Sequence, residues 1–271
     1  MKLDNDTGSQ LPDARKVGIL RVTGLPADAV AVGQLTLELA SQTFGEQLKS
    51  LVGMGSLGYG GYRPGWSDYD IDIIVDDRVQ VDARTLERIA KEHIEAPVHA
   101  AGHTRADIRA YSIKQLNDRE VPFQNGIASR QIMLLDSATI LWGESCKEQV
   151  IRPSQAQIRL ESGNTARWLE NLLRDKEESL PLDDIAAHFA LCGRLLYTAR
   201  TGNVAGKVLA ITEVLDHYRD TIPADVIPWL SWAFAVRERD CFRIDRKDLR
   251  DAATEGLRRL TAWTARELGA L

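Results

Sequence analysis

Between residues 55 and 75 the chain places a Gly55-Ser56 pair, a glycine-bearing spacer and then Ser67-Asp68-Tyr69-Asp70-Ile71-Asp72-Ile73-Ile74-Val75. No other stretch limits the fold as tightly. Successive side chains of a strand point to opposite faces, so Asp68 and Asp70 project from one face, close enough to share a cation. Two carboxylates with few local counter-charges repel each other, and a divalent metal relieves that repulsion. A turn at Gly55-Ser56 offers backbone N–H groups to a phosphate. Together these parts make a candidate site for a metal-bound nucleoside triphosphate. An edge strand guarded by charge also explains acidic residues on one face. It does not explain the Gly-Ser pair, the glycines at 58, 60, 61 and 65, or Asp107 downstream. A non-catalytic calcium site is a further reading, although no Asp-x-Asp-x-Asp-Gly run with a closing Glu is present.

The rest of the chain sets bounds on partners. At 271 residues it can bury a substantial core as one large or two small domains. Its formal net charge of −5 argues against a broad nucleic-acid-binding face, which needs many Lys and Arg phosphate contacts, and suits attraction of a cationic small molecule. Cys146, Cys192 and Cys241 are scattered, with no Cys-x-x-Cys spacing, and read as thiols in a reducing compartment. The first residues lack a basic-then-apolar signal pattern, and no apolar run is long enough to span a bilayer, so a cytoplasmic protein with no membrane partner is expected. His99 and His103 are four apart, but Pro97 and Gly102 argue against the helix that a metal pair would need.

Residues 1–15 are polar and read as a loose lead-in. Apolar spacing predicts a helix over Ala27 to Leu51, a first strand over 51–54, a loop over 57–66 and the carboxylate strand over 69–75. Thr85 to Glu92 reads as a helix stopped before Pro97. Arg105 to Ile113 alternates as a strand does, Gln131 to Asp136 is helical or extended, and Ala138 to Trp142 is strand-like. From about residue 155 strand signals cease. Ile158 through Trp168-Leu-Glu-Asn-Leu-Leu is one amphipathic helix, Asp183 or Asp184 is the N-cap of another, and further helices cover Ala205–Tyr218, Ala224–Arg239 and 247–268. The expected fold is therefore α+β: an α/β layer with a mixed sheet over residues 1–150, followed by an all-α helical bundle over 151–271.

Gly-Ser, a glycine-rich spacer and Ser-Asp-x-Asp running into Ile-Ile-Val resemble the DNA polymerase β-like nucleotidyltransferase superfamily. Within it the chain is most similar to aminoglycoside adenylyltransferases of the streptomycin/spectinomycin type, clearly over the first half and faintly over the second. The resemblance implies a Mg²⁺-dependent enzyme with ATP as nucleotide donor, Asp68 and Asp70 as metal ligands, and Gly55 and Ser56 at the nucleotide. Asp72 continues the same strand face, so Asp70 and Asp72 are the alternative pair. The resemblance also implies a third carboxylate, for which the chain offers Asp107. There it deprotonates the acceptor hydroxyl or serves as a third metal ligand; the related enzymes often carry the longer Glu. Gly193 to Lys207 resembles the segment that closes over the nucleotide, and Arg194 and Lys207 fall where an Arg and a Lys face the triphosphate. On the acceptor side the likeness weakens: Phe123 to Arg130 lacks the Trp that stacks on the drug.

The function these readings imply is transfer of a nucleoside monophosphate, AMP from ATP, to a hydroxyl of a small, cationic molecule, with an aminoglycoside among the candidates. The other classes are a nucleotide-binding regulatory module, antitoxin-like and without turnover, and transfer onto a macromolecule. No nucleic-acid partner is expected.

Overall fold

A computed structural model describes residues 27–59, 61–62, 67–79, 81, 94, 106–121, 126–175, 180–239 and 247–269. The helix predicted over Thr85 to Glu92, most of the loop at 63–66, and His99 and His103 lie outside the described residues. The chain divides into two compact units. One comprises residues 1–114 with 139–146; the other comprises 115–138 with 147–271. The division is thus not a single cut near residue 150. Residues 115–138 group with the helical unit, because the chain leaves the sheet after its third strand and returns to it only for the fourth.

In the sheet unit, α1 (Ala27–Phe44) leads to β1 (Leu48–Gly53), a short α2 (Gly55–Tyr59), β2 (Tyr69–Val75), β3 (Ala106–Ser112) and, after an excursion, β4 (Thr139–Gly143). The helix expected over 27–51 stops at Phe44, and β1 begins three residues earlier than apolar spacing suggested. Gly45 adopts a left-handed conformation at φ +54°, the usual way for a helix to end, and the following residues form a single 3₁₀ turn. The sheet order is β3-β2-β1-β4. β1 pairs antiparallel with β2 and β4, whereas β2 and β3 run parallel, so the sheet is mixed as expected.

Alternation along the strands decides what each face does. Tyr69, Ile71, Ile73 and Val75 of β2, Ile108 and Ala110 of β3 and Leu51 of β1 pack with Ala29, Val32, Leu37 and Ala40 of α1 in one apolar core. Burial in this core pushes the Tyr69 hydroxyl pKa upward. The residues between them in sequence, Asp70 and Asp72 on β2 and Asp107, Arg109 and Tyr111 on β3, therefore share the opposite face.

The helical unit holds α3 (Ile113–Asn117, its first two residues in the sheet unit), α4 (Ile127–Asp136), α5 (Gln155–Asp175), α6 (Leu182–Thr201), α7 (Lys207–His217), α8 (Ile227–Arg239) and α9 (Lys247–Glu267). The segment read as helical or extended from Gln131 is a helix that starts at Ile127. Its first turn is held by Glu161 of α5, whose carboxylate accepts from the Ala128 N–H at 2.7 Å and also pairs with Arg119. Neither Asp183 nor Asp184 is an N-cap. Pro181 occupies that position, and both carboxylates lie in the first turn of α6, where the helix dipole favours negative charge. Phe189, Cys192, Leu195 and Leu196 form the buried stripe of α6, and Phe189 meets Trp232 of α8 edge to face at 6.4 Å between ring centroids.

Candidate active site

Parallel pairing of β2 and β3 sets Asp70 directly opposite Asp107. Neighbouring strands lie about 4.8 Å apart, so two carboxylates in register on one face can reach the same small ion or the same oxygen. Beyond them, Asp72 stands opposite Arg109 and Ile74 opposite Tyr111. The face thus carries a front row, Asp70 and Asp107, and a second row, Asp72 and Arg109.

β1 closes the front row on its other side. The Met54 N–H donates to the Asp70 carbonyl at 3.0 Å, so the chain leaving β1 turns beside Asp70. At that point Gly55 has φ +52°, and a Cβ added there would run into Asp70 Oδ2. Only glycine fits both the backbone and the close approach. The Gly-Ser pair is not a turn alone but the start of α2. The first amides of any α-helix lack an acceptor within the helix, and here they belong to Gly55 and Ser56. The Leu57 and Gly58 amides already bond back to the Met54 carbonyl, at 3.0 and 3.2 Å. Half-buried Ser56 thus begins a turn that leads straight from the strand end to the carboxylate.

The three aspartates of β2 and its approach differ sharply. Asp68 precedes the strand by one residue and is half-buried, as is Asp70. Asp72 is 0% exposed and accepts a hydrogen bond from the Tyr111 hydroxyl. Its carboxylate is thus buried against β3, whereas Asp68 and Asp70 are partly exposed. Asp107 forms an ion pair with Arg109 on its own strand, Nε to Oδ1 at 2.8 Å, with the two side chains 31% and 29% exposed. Sequence reasoning passed over Arg109. The signal was available, since a residue two positions after Asp107 on a strand must share its face. Tyr111 is buried, and its hydroxyl donates to Asp72.

Among the described residues, no group of three or more His, Cys, Asp or Glu side chains is placed to hold a metal ion. The front row nevertheless suits Mg²⁺, which takes hard oxygen donors and is commonly held by one or two carboxylates together with substrate phosphates. The absence of a side chain at Gly55 leaves room for Asp70 Oδ2, which any Cβ there would meet.

The helical unit positions the two cations by close packing. A Cβ on Gly193 of α6 would lie 2.9 Å from the Ala210 carbonyl oxygen of α7, so the glycine lets these helices approach closely. Arg194 follows Gly193, and Lys207 opens α7 one turn before Ala210. Both are half-buried, and the Arg194 guanidinium lies 3.9 Å from Met133 Sδ of α4. The structure therefore gathers Gly55, Ser56, Asp70 and Asp107 in one unit, with Asp68 just ahead of them, and Arg194 and Lys207 on one helix pair in the other. On the acceptor side, the described part of Phe123 to Arg130 is the start of α4, and Arg130 is buried. No helix among the described residues is long and apolar enough to cross a membrane.

No protein-family model and no curated protein sequence matches the chain. A solved structure does. The spectinomycin adenyltransferase AAD(9) from Enterococcus faecialis, crystallised with ATP and spectinomycin, superposes with a TM-score of 0.56 at 13% identity, over 86% of this chain and 98% of that one. At that identity the likeness is one of fold. The chain shares that structure's fold, an α+β domain with a mixed sheet followed by a helical region.

Proposed function

We propose that the chain is a nucleotidyltransferase that moves AMP from ATP onto a hydroxyl of a small molecule, with cationic aminoglycoside-like compounds as the acceptor class. The observation that carries this reading is the in-register pair Asp70 and Asp107 beside the Gly55-Ser56 helix start. Support comes from the shared fold with an adenyltransferase crystallised with ATP and spectinomycin, and from the acidic net charge, which suits a cationic acceptor.

The residues divide the work as follows. Asp68 and Asp70 would hold Mg²⁺, whose chemistry there would be polarisation of phosphoryl oxygens and neutralisation of their charge. The Gly55 and Ser56 amides donate to phosphate oxygens at the start of α2. The acceptor oxygen forms a new bond to the α-phosphorus, the bond between that phosphorus and the α–β bridging oxygen breaks, and pyrophosphate departs. Asp107 takes the proton of the acceptor hydroxyl. Arg194 and Lys207 offset the charge that builds on the departing pyrophosphate. Buried thiols at Cys146 and Cys192 suit a reducing cytoplasm.

Pyrophosphate release, followed with ATP, Mg²⁺ and a panel of aminoglycoside and aminocyclitol acceptors, tests the reading. Mass spectrometry should find at least one acceptor heavier by one adenylyl group. Tight ATP binding with no product from any acceptor would replace this reading with a non-catalytic nucleotide-binding module.

A further inference from the structure

The second row of the carboxylate face has its own chemistry. Asp72 and Arg109 are register partners one step beyond Asp70 and Asp107. Tyr111, on the same face of β3, donates its hydroxyl to Asp72 from behind. Arg109 reaches the other way, toward the front row, and its Nε donates to Asp107 Oδ1. Oppositely charged cross-strand neighbours on one sheet face attract each other, so Asp72 favours keeping the guanidinium on this side.

An aspartate side chain has one stiff torsion and one broad terminal torsion, so a half-exposed carboxylate samples many orientations of its plane. A charge-assisted bond from a planar guanidinium to one oxygen removes that freedom. With Oδ1 held by Arg109, Oδ2 is the oxygen turned to the reacting hydroxyl. The Asp at this position is shorter than a Glu, and the neighbour two residues along the strand gives its carboxylate a defined direction.

We propose that Arg109 is a positioning residue for Asp107, an inference that rests on the reading of Asp107 as the proton acceptor. Arg109→Ala in the full chain should lower kcat about 10- to 100-fold, the loss usual when a group that orients a reactive ligand is removed. The KM for ATP should stay within about twofold, since uniform binding is not what is lost. Added methylguanidinium should restore part of kcat, a rescue that a merely structural role would not show. Arg109→Lys, which keeps the charge without the fork, serves if the alanine variant folds poorly, and it should also lose kcat.

Crystal structures of wild type and variant give a readout independent of turnover. The Asp107 carboxylate should rotate or split between rotamers when Arg109 is replaced, and an unmoved carboxylate overturns the proposal. A raised KM for ATP at unchanged kcat overturns it too, by making Arg109 a phosphate contact. If the wild type itself releases no pyrophosphate with any acceptor, the nucleotidyl-transfer reading fails, and the crystallographic comparison still decides whether Arg109 sets the direction of Asp107.

Discussion

In the sheet unit the ionic groups of the candidate site stand on alternate residues of two adjacent strands, locked in register by backbone hydrogen bonds. In the helical unit the two candidate cations stand on helices, Arg194 within α6 and Lys207 at the start of α7. A strand pair fixes where its side chains begin and how far apart they stand through the ladder itself, and a short carboxylate there cannot stray far. A helix end fixes only where a long side chain begins. The comparison teaches that geometry-critical groups belong on the sheet, whereas cations that need only be near a polyphosphate can stand on helices.

The largest expected effect follows from the sheet side of that contrast. Asp70→Asn keeps the volume but weakens the metal-facing oxygen, and transfer should fall on the order of 10³-fold. Circular dichroism and the thermal midpoint should stay near wild type. A variant that retains activity with the same Mg²⁺ requirement would remove Asp70 from the site.

Gly55→Ala tests whether the sheet site depends on close approach. The new methyl meets Asp70 Oδ2, and the backbone is left-handed. We expect a stability loss of about 1–3 kcal/mol in urea titrations, from strain at a left-handed non-glycine residue. Displacing the carboxylate should also lower turnover by about 100-fold. Loss of stability with full activity per folded molecule would show that the Gly55 contact does not serve the site.

Lys207→Ala probes the helical side. Removing one cation that faces a phosphate should raise the KM for ATP about tenfold, near 1.4 kcal/mol, and leave acceptor binding unaltered. Unchanged ATP kinetics would mean that the cation serves only the helical surface, and that the contrast between the units is one of function as well as geometry.

The smallest effect concerns the interior of the helical bundle. Burial pushes the Cys192 thiol up to about 12. A folded-state value above the unfolded one adds stability that is fully present below about pH 8.5 and is lost as pH rises toward 12. Wild type should therefore lose stability above pH 9 by up to about 1.4 kcal/mol per pH unit relative to Cys192→Ala. Parallel pH–stability curves for the two proteins would show that the thiol titrates as if exposed.

Much of the sheet site was legible because its signal is local. The alternation in Asp68-Tyr69-Asp70-Ile71-Asp72 survives any tertiary arrangement that makes a strand of it, and the Gly55-Ser56 pair marks a backbone that few other residues could follow. Helix limits were less legible. The apolar spacing through Gly45 does not reveal that the chain reverses its handedness there, and Pro181 takes the cap position that Asp183 or Asp184 seemed to claim.

By itself the amino-acid order determined that β2 has an acidic face, that a helical region follows a mixed sheet, and that Asp107 lies on a strand. Only the tertiary structure decided which residues meet. The parallel register of β2 and β3 sets Asp107 against Asp70 and Arg109 against Asp72, and Asp72 is buried where it accepts from the Tyr111 hydroxyl. The physical reason is that a side chain's face follows from a two-residue period within one segment. Register between segments distant in sequence follows from ladder hydrogen bonds and core packing, which no local pattern contains.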